Sequence, residues 1–318
     1  MLFAKRKEVS PKLSKTQATA FGVIAILMWA ILALLTAGTG QVPPFQLVAM
    51  SFAIAFLLAV GKWLWRRENP LIYLRLPAKV WIFGISGLFG YHLFYFLALR
   101  NAPVIEASLI AYLWPLLIVL FSALLPTETL KWQHIAGALI GFAGAYLLVA
   151  KGAMPSLDPA YAIGYLAAAA CALIWSGYSV ISRRFATLPT DTVGGFCGVT
   201  AVLAVIAHLI FEDTVWPANI GQWFSAVGLG LGPVGAAFFF WDIAVKRGHI
   251  QVLGALSYLA PLFSSLVLIA AGLAVGSWQI LVACLLITGG AVVASFDVMF
   301  KRRSGGRDGN GGSTSTIE

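Results

Sequence analysis

Charge is what this sequence most lacks. Only 10% of its 318 residues are Asp, Glu, Lys or Arg, where a soluble domain carries about 25%. Acidic residues number 12, against 21 Lys and Arg. A chain this poor in charge cannot cover the surface of a water-soluble globule, and its 60% apolar fraction suits solvation by lipid. The net charge of +9 does not mark a nucleic-acid binder, because every Lys and Arg falls at the end of an apolar stretch, in a short connection or in a tail. No basic face is left to build. Cysteine is sparse too: Cys171, Cys197 and Cys284 sit inside apolar stretches without metal-ligand spacing and define no redox compartment. The sequence also has no Gly-x-x-x-x-Gly-Lys loop, no His-Glu-x-x-His helix and no Gly-x-Ser-x-Gly turn. ATP hydrolysis, zinc proteolysis and serine hydrolysis therefore have no carrier, and neither metal nor cofactor is expected.

Long hydrophobic runs are plentiful. A helix needs about 20 apolar residues to cross a bilayer, and ten such stretches occur: 18–36, 44–65, 79–100, 103–125, 132–150, 160–183, 190–211, 221–246, 250–273 and 277–300. Their short connections force antiparallel hairpins and leave no room for a soluble domain. The first stretch follows a basic segment and could be read as a signal peptide. Its counterpart lies in mid-chain at 160–183, so it reads as a retained helix.

That counterpart belongs to a gap-free internal repeat at an offset of 146 residues. Trp29 matches Trp175, Pro43 matches Pro189, Gly84 matches Gly230, Tyr112 matches Tyr258 and Pro115 matches Pro261. Trp132-Gln133 matches Trp278-Gln279, and Gly144-Ala145 matches Gly290-Ala291. Each copy holds five apolar stretches. An odd number makes the second copy enter the bilayer from the opposite side, giving an inverted repeat of the kind that builds secondary transporters. The expected organisation is a cytoplasmic segment at 1–17, five-helix repeats at 18–150 and 160–300, and a flexible cytoplasmic tail at 301–318, rich in Gly, Ser and Thr. With the N-terminus in the cytoplasm, 19 of the 21 Lys and Arg lie inside and only Arg100 and Lys151 outside, which sets the orientation.

Ionisable residues deep in a bilayer are costly and usually functional. Glu106 and His208 fall near outer span ends, while Asp242 with Lys246 one turn on, and Asp297, fall near inner ones. The Asp242 and Lys246 spacing is that of an i,i+4 ion pair. His92 alone reaches mid-span, roughly 12 Å inside Arg100 at 1.5 Å per residue. His92, Tyr95, Phe96 and Leu99 share a helical face that either packs or binds. Pro115 and Pro261 sit mid-span at equivalent positions, each three residues after a tyrosine, and each frees a carbonyl one turn earlier. The faces Ser108–Tyr112–Pro115 and Gly254–Tyr258–Pro261 are expected to line a cavity, and the two prolines to act as gating kinks. Trp29, Trp114 and Trp175 lie well inside their spans, and Tyr178, Ser179 and Ser182 continue the Trp175 face. Gly84, Gly87 and Gly90, and Gly137, Gly141 and Gly144, are read as close-packing positions. The residues expected to touch a small-molecule substrate are thus His92, Tyr95, Tyr112, Trp114, Trp175, Tyr178 and Tyr258.

Two function classes remain: a secondary transporter, or an intramembrane lipid enzyme with His92 as base. The enzyme needs a carboxylate or nucleophile at matching depth, and the sequence offers none. The stretch Leu97-Ala98-Leu99-Arg100-Asn101-Ala102-Pro103, followed by Ala107-Ser108-Leu109 and Leu113-Trp114-Pro115, resembles the third-to-fourth-span signature of the EamA-type carriers of the drug/metabolite transporter superfamily. Its counterpart runs from Ala244-Val245-Lys246-Arg247-Gly248 to Tyr258-Leu259-Ala260-Pro261. Gly90-Tyr91-His92 to Tyr95, and Tyr112 to Pro115, make the chain most similar within it to the bacterial aromatic amino acid exporters. The resemblance implies a multi-pass protein of the bacterial inner membrane that exports Phe, Tyr, Trp and other apolar amino acids by alternating access. A carrier of another small metabolite or drug is the alternative. Phosphorylated substrates, carried by relatives of the family, would want a midplane Arg or Lys, and none is there. The small multidrug carriers of the same superfamily have an acid in their first span; the first span here has none, which speaks against proton-driven cation exchange. Proton coupling through His92 and facilitated diffusion both stay open at this point, as do monomer and dimer.

Overall fold

Lipid offers no hydrogen bonds to a backbone, so an apolar run of spanning length must satisfy its own amides as a helix. In a computed structural model that describes residues 13–126, 128–150, 155 and 157–304, ten helices are long and apolar enough to cross a membrane. They are span 1 (Lys15–Ala37), span 2 (Pro44–Trp65), span 3 (Ala78–Asn101), span 4 (Val104–Leu124), span 5 (Trp132–Ala150), span 6 (Pro159–Phe185), span 7 (Thr192–Phe211), span 8 (Ile220–Arg247), span 9 (Ile250–Ala270) and span 10 (Trp278–Asp297). Local chemistry fixes their starts. Ser14 and Gln17 close a reciprocal capping box before span 1, Pro44 takes the first turn of span 2, and Asn219 caps span 8. The last helix continues past its span to Ser304, so residues 301–304 are helical rather than part of a tail. Residues 1–12, Lys151 and residues 305–318 lie outside the described residues.

The two repeats interlock. Span 1 packs along the second half of span 8, and span 6 along the second half of span 3, so the third helix of each copy lies on the first helix of the other. Spans 2 and 7 form a pair across the repeats, as do spans 5 and 10. Without a hydrophobic drive between helices in lipid, close approach of small residues supplies the packing. A Cβ on Gly137 would stand 2.5 Å from the Gly290 carbonyl, so the glycine faces of spans 5 and 10 meet within one chain. Lys131 and Asp297 join the same two spans by an ion pair.

Spans 2 and 7 are tied at both ends. At the end carrying the termini, Lys62 Nζ pairs with Asp191 at 2.5 Å. At the far end the Glu212 carboxylate accepts from the Phe45 and Gln46 amides at 2.9 and 3.1 Å, capping the positive N-terminus of span 2, and meets His208 Nδ1 at 2.9 Å. Lys62 and His208 are themselves repeat partners.

Irregularities also repeat. Five-residue π segments, Ser86–Gly90 and Gly232–Ala236, interrupt spans 3 and 8 at the same offset. Spans 4 and 9 break at Tyr112–Leu113 and Ser257–Tyr258, because Pro115 and Pro261 have no N–H for the carbonyls of Ala111 and Ser257.

Candidate functional site

One cavity of about 1130 Å³ runs from the centre of the bundle to the end opposite the termini. Its floor is tryptophan. Trp29 meets Trp175 and Trp114 edge-on at 5.8 and 6.3 Å, and Trp114 meets Trp175 at 6.4 Å. The contact between the repeat partners Trp29 and Trp175 places the repeat axis between spans 1 and 6. Trp241 lies beneath, fully buried, 5.0 Å from Trp29, with its indole N–H donated to Ser179 Oγ at 3.1 Å. The Trp29 indole N–H reaches 3.0 Å to the carbonyl of Pro233, inside the second π segment.

The wall is span 3 just beyond the first π segment. Tyr91, His92, Tyr95 and Phe96 all line it, with the rings of Tyr91 and Tyr95 parallel at 6.0 Å and Phe52 edge-on to His92 at 5.3 Å. His92 Nδ1 sits 2.7 Å from the Leu88 carbonyl, a π-segment residue. Since a carbonyl only accepts, Nδ1 carries the proton, and Nε2 is the ring's remaining polar atom. Tyr112 and Ala111 line it as well, and Pro115 leaves the Ala111 carbonyl without its helical partner. Among the described residues, the only charged side chains lining the cavity are Arg100, Glu212 and Asp213 at its mouth.

The end carrying the termini is sealed. Below the Trp floor, Tyr178 stacks on Trp175 at 5.4 Å and on Phe83 at 4.9 Å, and Phe83 meets Phe185. Lys246 pairs with Asp242 at 2.8 Å and donates to the Leu188 carbonyl at 3.2 Å, while Thr190 donates to Asp242 at 2.8 Å. The Asp242–Lys246 pair expected from spacing is formed, but it is buried in this seal rather than lying at an open interface. Arg183 binds Glu128 and the carbonyls of Val245 and Gly248, and Lys15 lies 3.7 Å from Glu128. His249, in the connection between spans 8 and 9, is held below the usual imidazole range by burial and by the nearby cations Lys15 and Arg183, with Glu128 opposing them.

Of the residues expected to touch substrate, His92, Tyr95, Tyr112, Trp114 and Trp175 line this one cavity. Tyr178 and Tyr258 do not. Tyr178 belongs to the seal, and Tyr258 is fully buried against Gly141 and Phe142 of span 5. The reason is depth: both stand in the closed half, whereas Tyr112, the repeat partner of Tyr258, stands in the open half. The Gly254 face is likewise packed, since a Cβ there would meet the Pro115 carbonyl at 2.9 Å. Pro115 and Pro261 are both buried beside the breaks they cause. Tyr91, Phe238 and Trp241 were not among the residues expected to touch substrate. Tyr91 stands one turn before Tyr95, but no sequence pattern announces the π segment that immediately precedes it. Trp241 did carry a signal, because its repeat partner is Tyr95.

Both halves of the chain, residues 17–150 and 162–296, match the EamA-like transporter family. The aromatic amino acid exporter YddG of Ancylobacter novellus is 53% identical over 284 residues, covering 89% of this chain and 98% of that protein. The protein of the same name from Salmonella typhimurium is 27% identical, over 84% of this chain and 94% of its own. A crystal structure 52% identical in sequence superposes with a TM-score of 0.85, covering 90% of this chain and 100% of that one. The chain is an all-helical membrane protein of two inverted five-helix repeats, and it belongs to the EamA-like transporter family.

Proposed function

We infer that this carrier exports aromatic and other apolar amino acids from the cytoplasm, with both termini on the cytoplasmic side of a bacterial inner membrane. The observation that carries the substrate class is the tryptophan-floored cavity lined by Tyr91, His92, Tyr95 and Tyr112. Indole and phenol faces stack on a substrate ring and attract an ammonium. The neutral His92 Nε2 and the freed Ala111 carbonyl accept from that ammonium. The phenol hydroxyls of Tyr91, Tyr95 and Tyr112 donate to the α-carboxylate, a role for which a His92 with its proton on Nδ1 is unsuited. The similarity to proteins named as aromatic amino acid exporters supports the same assignment. A family of transporters also removes the reason to retain an intramembrane enzyme.

Orientation is supported by cation distribution: among the described residues Arg100 is the only Lys or Arg at the far end. With the termini inside, the cavity opens outward, as expected of an exporter after release. Alternating access would follow from rocking of the interlocked repeats about the Trp floor, with spans 4 and 9 bending at Pro115 and Pro261.

Counterflow of labelled Phe, Trp, Leu and a nucleotide sugar in liposomes holding the purified chain tests the substrate. Phe and Trp should exchange fastest, Leu more slowly and the nucleotide sugar not at all. Exchange of the sugar alone would overturn the substrate and leave the carrier standing.

A further inference from the structure

The repeat register relates the closed end of the molecule to the open one residue by residue. At the sealed end, polar and backbone contacts are made by Glu128 and the Gly248 carbonyl, whose repeat partners Ala274 and Ala102 do not line the cavity, and by six further residues, Arg183, Leu188, Thr190, Asp242, Val245 and Lys246. Subtracting the 146-residue offset from these six gives Ala37, Val42, Pro44, Phe96, Leu99 and Arg100. All six line the cavity in its open half. The same holds deeper in: Tyr178 and Ser179 of the seal correspond to Leu32 and Ala33, which also line the cavity. The open mouth is therefore the seal's counterpart, pulled apart.

When inverted repeats exchange conformations, contacts made by one copy at one end are remade by the other copy at the other end. In that exchange Lys246 on the Leu188 carbonyl becomes Arg100 on the Val42 carbonyl. The remaining chemistry is not preserved: Asp242 becomes Phe96, Thr190 becomes Pro44 and Arg183 becomes Ala37. Glu128, the acid of the inner seal, corresponds to Ala274.

We propose that Arg100 is the outer-gate residue, closing the mouth onto the Val42 carbonyl, with Phe96 over Pro44, in the state open to the cytoplasm. Among the contacts that the register carries over, that outer seal has one charge-assisted hydrogen bond and apolar partners; the mouth acids Glu212 and Asp213 correspond to Arg66 and Arg67, which make none of the contacts named at the sealed end. The inner seal has two buried ion pairs and several carbonyl contacts. The difference sets the resting state: the inner seal holds and the outer gate yields, so the empty carrier opens outward. The idea rests on the transport reading above and is independent of which amino acid is carried.

Disulfide trapping tests it without substrate. In a chain with Cys171, Cys197 and Cys284 replaced by Ala, the substitutions Val42→Cys and Leu99→Cys place thiols on the two sides of the mouth. Oxidation in liposomes, read by protection from a maleimide polymer, should link few molecules of the otherwise unaltered chain. Adding Arg183→Ala, which breaks the inner seal, should raise the linked fraction about fivefold or more, the lower end of what coupling between two states produces. Glu128→Gln breaks the same pair with little change of shape and should act in the same direction, guarding against a folding defect in the first variant. Replacing Arg100 by Ala in either background should return the linked fraction toward its starting level, and Arg100→Lys should preserve the rise. The assignment is overturned if neither inner-seal variant raises linking, or if the rise survives Arg100→Ala undiminished. Failure here with intact Phe exchange would leave the substrate reading untouched, and success with no Phe exchange would do the reverse.

Discussion

Trp175 touches six aromatic side chains at once, Trp29, Tyr91, Trp114, Tyr178, Phe238 and Trp241. Such a ring is held by its neighbours before any ligand arrives, so the part of it that lines the cavity is a preformed contact surface. An aromatic pair contributes about 0.5–1.5 kcal/mol beyond the area it buries. Trp175→Leu keeps an apolar side chain of reduced size while removing that surface. It should raise the half-saturating concentration of Phe and Trp by roughly 2- to 10-fold and leave that of Leu nearly unchanged. Concentration-dependent counterflow of the three amino acids reads this directly, and an equal loss for all three would reduce Trp175 to a packing residue. His92 illustrates how much a residue's role depends on its backbone. Its depth and its aromatic surroundings were visible in the sequence, but its protonated nitrogen was not. That is set by the Leu88 carbonyl in the π segment, a contact no residue pattern encodes.

At the scale of elements, the paired prolines of spans 4 and 9 produce paired breaks but unequal surroundings. Span 4 turns Ala111 and Tyr112 to the cavity. Span 9 turns Gly254 onto the Pro115 carbonyl and Val119. Gly254 is therefore a close crossing of the two kinked spans. A Cβ there would stand 2.7 Å from Val119 Cγ2 and 2.9 Å from the Pro115 carbonyl, and one of those partners is backbone that cannot rotate away. Gly254→Ala should lower stability in detergent by about 1–3 kcal/mol, the usual cost of overpacking, seen as a drop in the unfolding midpoint. An unchanged midpoint would mean that the crossing is looser than its geometry indicates. The sequence showed that these helices were equivalent and kinked, because proline chemistry is local. It did not show which face each presents, because one conformation of an inverted repeat breaks the symmetry that the sequence suggests. Tyr112 and Tyr258 are chemically alike and lie on matched faces; one is in the cavity and the other in the core.

On the scale of the whole molecule, span number and repeat were legible from hydropathy and a fixed offset, each a property summed over many residues. The state of the molecule was not, since both states must be encoded by one chain. The seal at the end carrying the termini decides that state, and its chemistry makes it sensitive to acid. His249 lies in the seal outside the membrane-spanning segments, and its backbone N–H is held by Thr19 Oγ1 of span 1 at 2.9 Å. The charged groups acting on its ring are Lys15 from span 1, Arg183 from span 6 and Glu128 from the connection between spans 4 and 5. Burial and the two cations outweigh Glu128, so the imidazole of the sealed state binds a proton less readily than a solvated histidine, whose reference value is about 6.5. Its contribution to the seal is fully present above that value. It is lost as pH falls below it, because a state that opens at the end carrying the termini and solvates His249 takes up the proton first. Acidifying the side that bears the termini should therefore shift the carrier toward the state open to that side. In the Val42→Cys, Leu99→Cys chain, linking of the two introduced thiols should rise as pH drops below about 6.5. His249→Gln, which cannot take the proton, should flatten the pH profile while leaving the inner-seal variants able to raise linking. A profile that keeps its full slope in the His249→Gln chain would assign the acid response to another group of the seal.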